Sequence, residues 1–144
     1  MSNTIEIGCD HAGVELKAVI IKQLESKGFK VNDHGAFTSD SVDYPDFAHS
    51  VCKAVISGPD KTGILICGSG NGINMTANKY AQIRSALCWT AEIAQLARQH
   101  NNANVIALPA RFIEVDEALK AIDLFLTTPF EGGRHEKRVN KIAC

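Results

Sequence analysis

The feature that most constrains this chain is a change of period repeated along its length. Short apolar runs of strand length alternate with stretches whose apolar residues recur at helical spacing. Thr62-Gly63-Ile64-Leu65-Ile66-Cys67 is the sharpest of the runs, and its unbroken apolar character suits a central parallel strand covered on both faces. Further strands are predicted at 4–9, 29–33, 83–88 and 104–108. Helices are predicted at 14–27, at 45–56, from the loop after Cys67 to about 79, at 91–99 and at 115–126, with a last one after Gly132-Gly133. In the first helix, Val14, Ala18, Ile21 and Leu24 recur at helical spacing, and Gly28 stops it. Strand–helix alternation of this kind implies a three-layer α/β/α, Rossmann-like fold: a five-stranded parallel sheet, helices on both faces and a C-terminal helix.

Residues 1–144 fit one domain, since domains commonly run about 100–150 residues, and no repeat, low-complexity tract or linker divides them. The formal net charge of -1 gives no general electrostatic case for a nucleic-acid partner. No apolar run approaches the ~20 residues of a membrane span, and the first residues lack a basic, then apolar, export signal. Five cysteines, an odd number without a CxxC pair, read as reduced thiols of a cytoplasmic protein. Most are expected to be small core hydrophobes.

In a parallel α/β sheet the ligand crevice lies beyond the carboxyl ends of the strands. The segments to inspect are therefore those after each strand. Cys67-Gly68-Ser69-Gly70-Asn71-Gly72 places a thiol at a buried strand end, followed by alternating glycines and a helix start. Glycines let backbone N–H groups turn inward as an anion-binding nest, which favours a thiolate and stabilises a developing oxyanion. The alternative is a tight turn beside an inert cysteine. The loop is not a Walker loop, because it lacks Gly-Lys-Ser/Thr. It is not a dinucleotide fingerprint, because no third glycine falls at the required spacing and the next strand lacks a terminal acid. Nor is it a cysteine-phosphatase loop, because Ile73 occupies the position an arginine would need.

Asp10 and His11 lie between a strand end and a helix start, so both can face the crevice; the alternatives are a helix cap for Asp10 and a surface histidine for His11. His100 closes a helix, where it either caps or transfers protons. Arg134 and Arg138 are i,i+4 neighbours that can grip a phosphate, with Arg111 as a possible third group, or form a solvated basic face. No Cys or His pair has zinc-like spacing, so no metal and no cofactor are expected. Together these residues fit proton transfer beside a carbonyl on a small phosphorylated substrate. A sugar-phosphate-binding module and a Cys67–His100 thiol hydrolase are the rival readings.

Six segments carry a resemblance across nearly the whole chain: Gly8 to Gly13, Asp43 to Asp46, Gly63 to Gly70, Ala77 to Lys79, Ala97 to Asn101 and Phe130 to His135. In these the chain resembles the type B ribose-5-phosphate isomerases, a family that also includes isomerases of allose 6-phosphate and galactose 6-phosphate. The resemblance implies a metal-free aldose–ketose isomerase of the pentose phosphate pathway acting on D-ribose 5-phosphate and D-ribulose 5-phosphate. A six-carbon sugar phosphate is the alternative substrate. It further implies self-association as a dimer or tetramer with active sites shared between copies.

Carried onto this sequence, the resemblance makes Cys67 the base and Gly68, Gly70, Asn71 and Gly72 the enediolate cradle. Ser69 stands where many members have Thr and keeps a hydroxyl for proton movement. His100, helped by Asp10, would open the furanose ring. Tyr44 would line the sugar site and Asn101 would bond the reacting oxygens. His11, Arg111, Arg134 and Arg138 would bind the phosphate. Asn71 and Asn74 depart from the commoner, more apolar pattern. Some relatives use a Glu further along the loop as base; this chain has no acid there, which places it among the cysteine users.

Overall fold

The computed structural model describes residues 3–144. Five strands, β1 (Thr4–Cys9), β2 (Lys30–Asp33), β3 (Thr62–Cys67), β4 (Ser85–Leu87) and β5 (Val105–Pro109), form one parallel sheet in the order β2-β1-β3-β5-β4. Six helices connect and follow them: α1 (Val14–Ser26), α2 (Tyr44–Ile56), α3 (Asn71–Ala77), α4 (Ala91–Asn101), α5 (Val115–Thr127) and α6 (Arg134–Val139). None of the described helices is long and apolar enough to cross a membrane.

The period of two along each strand sorts the core into two layers. Ile5, Ile7, Ile64, Ile66, Ile106 and Leu108 face α1, α4 and α5, where Ile20, Leu24, Ile122 and Phe125 meet them. Leu65, Cys67, Val105 and Ala107 face the other way, toward Val51, Cys52 and Val55 of α2 and Ile73 and Ala77 of α3. This sorting positions the site, because Cys67 opens toward the α2–α3 side.

Two sequence expectations are corrected in detail. The inward stripe of α1 is Leu16, Lys17, Ile20 and Leu24, while Ala18 is exposed. Lys17 is only 3% exposed because its ammonium is fully occupied: it donates to Asp33 Oδ1 at 2.6 Å and Ala36 O at 2.7 Å, above the Phe37 ring. The fourth strand spans only Ser85–Leu87, not 83–88. It is an edge strand, and the Asn78 amide pairs with both backbone groups of Ser85 at 2.8 and 2.9 Å, taking the place of a ladder partner.

Candidate active site

The chain turns to one side of β1 to form β2 and to the other side of β3 to form β5 and β4, so the switch point lies between β1 and β3. Asp10 and Cys67 stand at that point. The Asp10 N–H donates to Ile66 O at 3.1 Å, and the residue is 6% exposed. Its carboxylate accepts the Ala12 N–H at 2.9 Å and so caps the short turn His11–Gly13. A side chain on Gly13 would stand 2.7 Å from Ile66, which explains the glycine: the turn is pressed onto the sheet. His11 Nδ1 accepts the Val42 N–H at 3.2 Å. The ring proton of the neutral imidazole therefore sits on Nε2, which remains available as a donor.

Cys67 ends β3 and is 4% exposed. The loops after β3 and β5 are stitched together, with the Ala110 N–H on Cys67 O at 2.9 Å and the Arg111 N–H on Gly68 O at 3.0 Å. This brings the Arg111 guanidinium over Gly68, where a Cβ would stand 3.0 Å from a guanidinium nitrogen. Gly70 adopts φ +76°, and a Cβ there would stand 2.4 Å from Leu87. At Gly72 the obstacle would be the Tyr44 ring, 2.4 Å away, so Tyr44 at the start of α2 closes over the first turn of α3. The Ser69 hydroxyl accepts the Asn71 N–H at 3.3 Å, and both residues are exposed. Among the described residues the N–H groups of Ser69, Gly70 and Gly72 meet no acceptor within the chain. The glycine loop thus presents open donors beside a thiol, as an oxyanion would require.

Three other thiols have no such surroundings. Burial pushes Cys9 and Cys52 up to about 11 and Cys88 up to about 12; at Cys9 the nearby Lys17 ammonium opposes the shift in part. They are core residues. Cys144 is exposed at the end of the chain.

His100, Asn101, Arg134 and Arg138 lie elsewhere. Helices α4 and α5 run back along the sheet, so their carboxyl ends reach the amino edge of the strands. Asn104 N–H bonds Arg84 O just before β4, and the Arg98 guanidinium bonds Thr128 O after α5. With α4 eleven residues long, the two edges are separated by roughly 15 Å. Within one chain His100 is therefore not beside Asp10, and Arg111 does not join Arg134 and Arg138, which sit exposed on α6. Two side chains absent from the sequence-based site complete this second cluster. His135 stacks on His100 with centroids 4.3 Å apart and planes 13° apart, and Glu131 Oε1 lies 3.9 Å from His100 Nε2 and 3.7 Å from His135 Nε2. The sequence carries only a weak signal for them: Glu131 and His135 are i,i+4, but His100 is remote in the chain. One ligand atom from each of these three residues lies within 4.8 Å of the others, a grouping the sequence spacing does not reveal.

A doubly wound fold with a thiol and open N–H donors at its switch point, and cationic groups at both edges, defines an α/β protein equipped for chemistry at the carbonyl of an anionic small molecule. The chain belongs to the Ribose/Galactose Isomerase family, whose model matches residues 5–142. It is 44% identical to the ribose-5-phosphate isomerase B of Escherichia coli over 140 residues, 97% of this chain and 94% of that protein. The crystal structure of a ribose 5-phosphate isomerase from Thermotoga maritima superposes with a TM-score of 0.95 at 48% identity, covering 97% of both chains. The Mycoplasma genitalium ribose-5-phosphate isomerase B, solved with bound ribulose-5-phosphate, superposes with a TM-score of 0.93 at 45% identity, covering 96% of this chain and 93% of the other.

Proposed function

We propose that this protein is an aldose–ketose isomerase interconverting D-ribose 5-phosphate and D-ribulose 5-phosphate through an enediolate. The observation that carries the reading is the junction after β3, where buried Cys67 is followed at once by N–H donors that nothing in the chain uses. In open-chain ribose 5-phosphate the Cys67 thiolate takes the C2 proton, and the electron pair moves onto the C1 carbonyl oxygen. The N–H groups of the glycine loop hold that oxygen, which lowers the barrier chiefly by stabilising the enediolate. The proton on O2 passes to O1, with the Ser69 hydroxyl as carrier. The thiol then returns a proton to C1, leaving a ketone at C2. Tyr44, packed on Gly72, walls the sugar site. His11 and Arg111 hold the phosphate at the carboxyl edge.

Ring opening is assigned to His100, with Asn101 on the reacting oxygens and Arg134 and Arg138 on the phosphate. These belong to the opposite edge, so they serve a site on a second copy. A two-fold dimer that sets the amino edge of each copy on the carboxyl edge of the other completes two sites at once. Large apolar side chains support such a cover. Phe37, Trp89 and Phe112 follow the ends of β2, β4 and β5, Met75 lies on α3, and all four are more than half exposed. The cytoplasm suits an enzyme with several buried thiols and this metabolic role.

The test is incubation with ribose 5-phosphate in heavy water with excess chelator. Ribulose 5-phosphate carrying solvent deuterium at C1 is expected. Cys67→Ala should slow this by about 10³-fold while ribose 5-phosphate still binds. Undiminished exchange in Cys67→Ala would reject the thiol as base. A covalent adduct on Cys67 without deuterium uptake would instead favour hydrolysis.

A further inference from the structure

The second cluster contains two side chains that the proposed reaction does not yet use. We propose that His135 and Glu131 are positioning residues that hold the His100 imidazole in the orientation needed for ring opening. The inference rests on the assignment of ring opening to His100.

The geometry is built from the chain upward. Gly132 and Gly133 adopt φ +68° and +56°, with open space where each Cβ would be. Their glycine identity serves backbone direction rather than room. The resulting turn is closed by the His135 N–H on Gly132 O at 3.1 Å, and it folds the start of α6 back onto the end of α4. The Glu131 N–H donates to Gln99 O at 3.1 Å, which ties the carboxylate to the last turn of the helix that carries His100. His100 is about two-fifths exposed and has no hydrogen bond within the chain to fix its ring among the described residues. What it has is a flat neighbour. The His135 side chain is 92% buried, its Nε2 is buried without a hydrogen-bond partner, and its ring lies nearly parallel to that of His100.

Burial, with the charges of Arg134, His100 and Arg138 adding to it and Glu131 opposing it, holds His135 below the ordinary imidazole range. A neutral ring stacked on His100 fixes its plane without adding a second positive charge. Glu131 Oε1 stands within 4 Å of both Nε2 atoms, on the side that both rings share. Two imidazoles and a carboxylate are also a zinc-type donor set. However, the lone pairs of nearly parallel stacked rings cannot both point at one ion in their planes, so the arrangement as folded favours stacking over ligation.

The experiment uses the full chain and two assays. Conversion of ribose 5-phosphate, a furanose, needs ring opening. Exchange of the C1 hydrogen of ribulose 5-phosphate in heavy water does not, because with O5 phosphorylated this ketose is open-chain. His135→Ala should lower kcat for ribose 5-phosphate by about 10- to 100-fold, the scale of a misplaced catalytic group, with KM and C1 exchange within about twofold. His135→Phe keeps a flat ring and should recover most of the loss. In the NMR spectrum, the His100 ring-carbon proton should move downfield in His135→Ala, as ring-current shielding is lost, and return in His135→Phe. Glu131→Gln should reduce conversion but not C1 exchange.

Equal loss in both assays, a His100 signal unmoved by His135→Ala, or no recovery in His135→Phe would overturn the proposal. Stoichiometric zinc binding that is lost in Glu131→Gln and blocks conversion would overturn it in favour of a metal site. Failure of the underlying reading looks different: His100→Ala would then impair conversion and C1 exchange alike.

Discussion

At the carboxyl edge of the sheet, backbone atoms hold the candidate residues. Asp10 is tied to β3 and Arg111 to Gly68 by main-chain hydrogen bonds, and Gly13, Gly70 and Gly72 leave no space for a side chain. At the amino edge, side chains hold one another: His100 lies on His135, Glu131 faces both, and Arg134 and Arg138 extend from a helix of six residues. The carboxyl-edge group is preformed by strand pairing. The amino-edge group, half-buried or exposed apart from the buried His135, is arranged by side-chain contacts. The contrast is between residues fixed by main-chain hydrogen bonds and residues arranged by one another's side chains; on the proposed reading the first group would supply the base and oxyanion donors, and the second would be completed by a second copy.

The most decisive way to break this contrast is to separate the halves. Cys67→Ala and His100→Ala copies, each nearly inactive on ribose 5-phosphate, should regain about a quarter of the wild-type rate after mixing and subunit exchange. Half of the dimers are then mixed, and each carries one intact site. No recovery, with exchange verified by mass spectrometry, would mean that both groups act within one chain.

The glycines sharpen the comparison at a smaller scale. Gly70→Ala must fit a left-handed conformation and a Cβ 2.4 Å from Leu87. A loss of about 100-fold in kcat is expected, because the N–H donors move with the loop. Gly132→Ala meets only the conformational penalty, since its space is open. It should lower stability by about 1 kcal/mol, measured by urea denaturation, and slow ring opening while sparing C1 exchange of ribulose 5-phosphate. Equal effects of the two substitutions would erase the distinction.

How much was legible in the sequence follows the same division. The thiol, the glycine loop and the residues after β1 and β5 are local to strand ends, and periodicity places strand ends well. The amino-edge partners were not legible. His135 meets His100 only because two left-handed glycines reverse the chain, and hydropathy does not report that reversal. Lys17 was missed for a related reason. A lysine reads as surface, yet here its charge is satisfied by Asp33 and Ala36 O, which only tertiary structure brings near. Lys17→Ala should therefore cost about 3 kcal/mol by urea denaturation, as expected for breaking a buried pair. Lys17→Met, which retains the aliphatic volume, should cost less.

The smallest effects at neutral pH separate the sheet core from the amino edge by the direction in which acid or base acts. Cys52 and Cys88 are pushed up to about 11 and about 12 from an ordinary value near 9, so the folded state favours their neutral thiols. Their contribution to stability is fully present below about pH 9 and is lost as pH rises toward 11 to 12. His135 has the opposite sign. It is held below the ordinary imidazole value, so its contribution is present above about pH 6.5 and is lost as pH falls through the lowered value. Urea midpoints should thus fall between pH 8 and 10.5, and less so in Cys52→Ala and Cys88→Ala, with the slope rather than the starting midpoint as the measure. Between pH 7.5 and 5 the midpoint should fall less in His135→Phe than in the wild type. An alkaline slope unchanged by either cysteine substitution would place the titrating groups elsewhere than the core. An acid slope unchanged by His135→Phe would mean that the amino-edge stack carries no buried neutral imidazole, and the physical contrast between the two regions would fail there first.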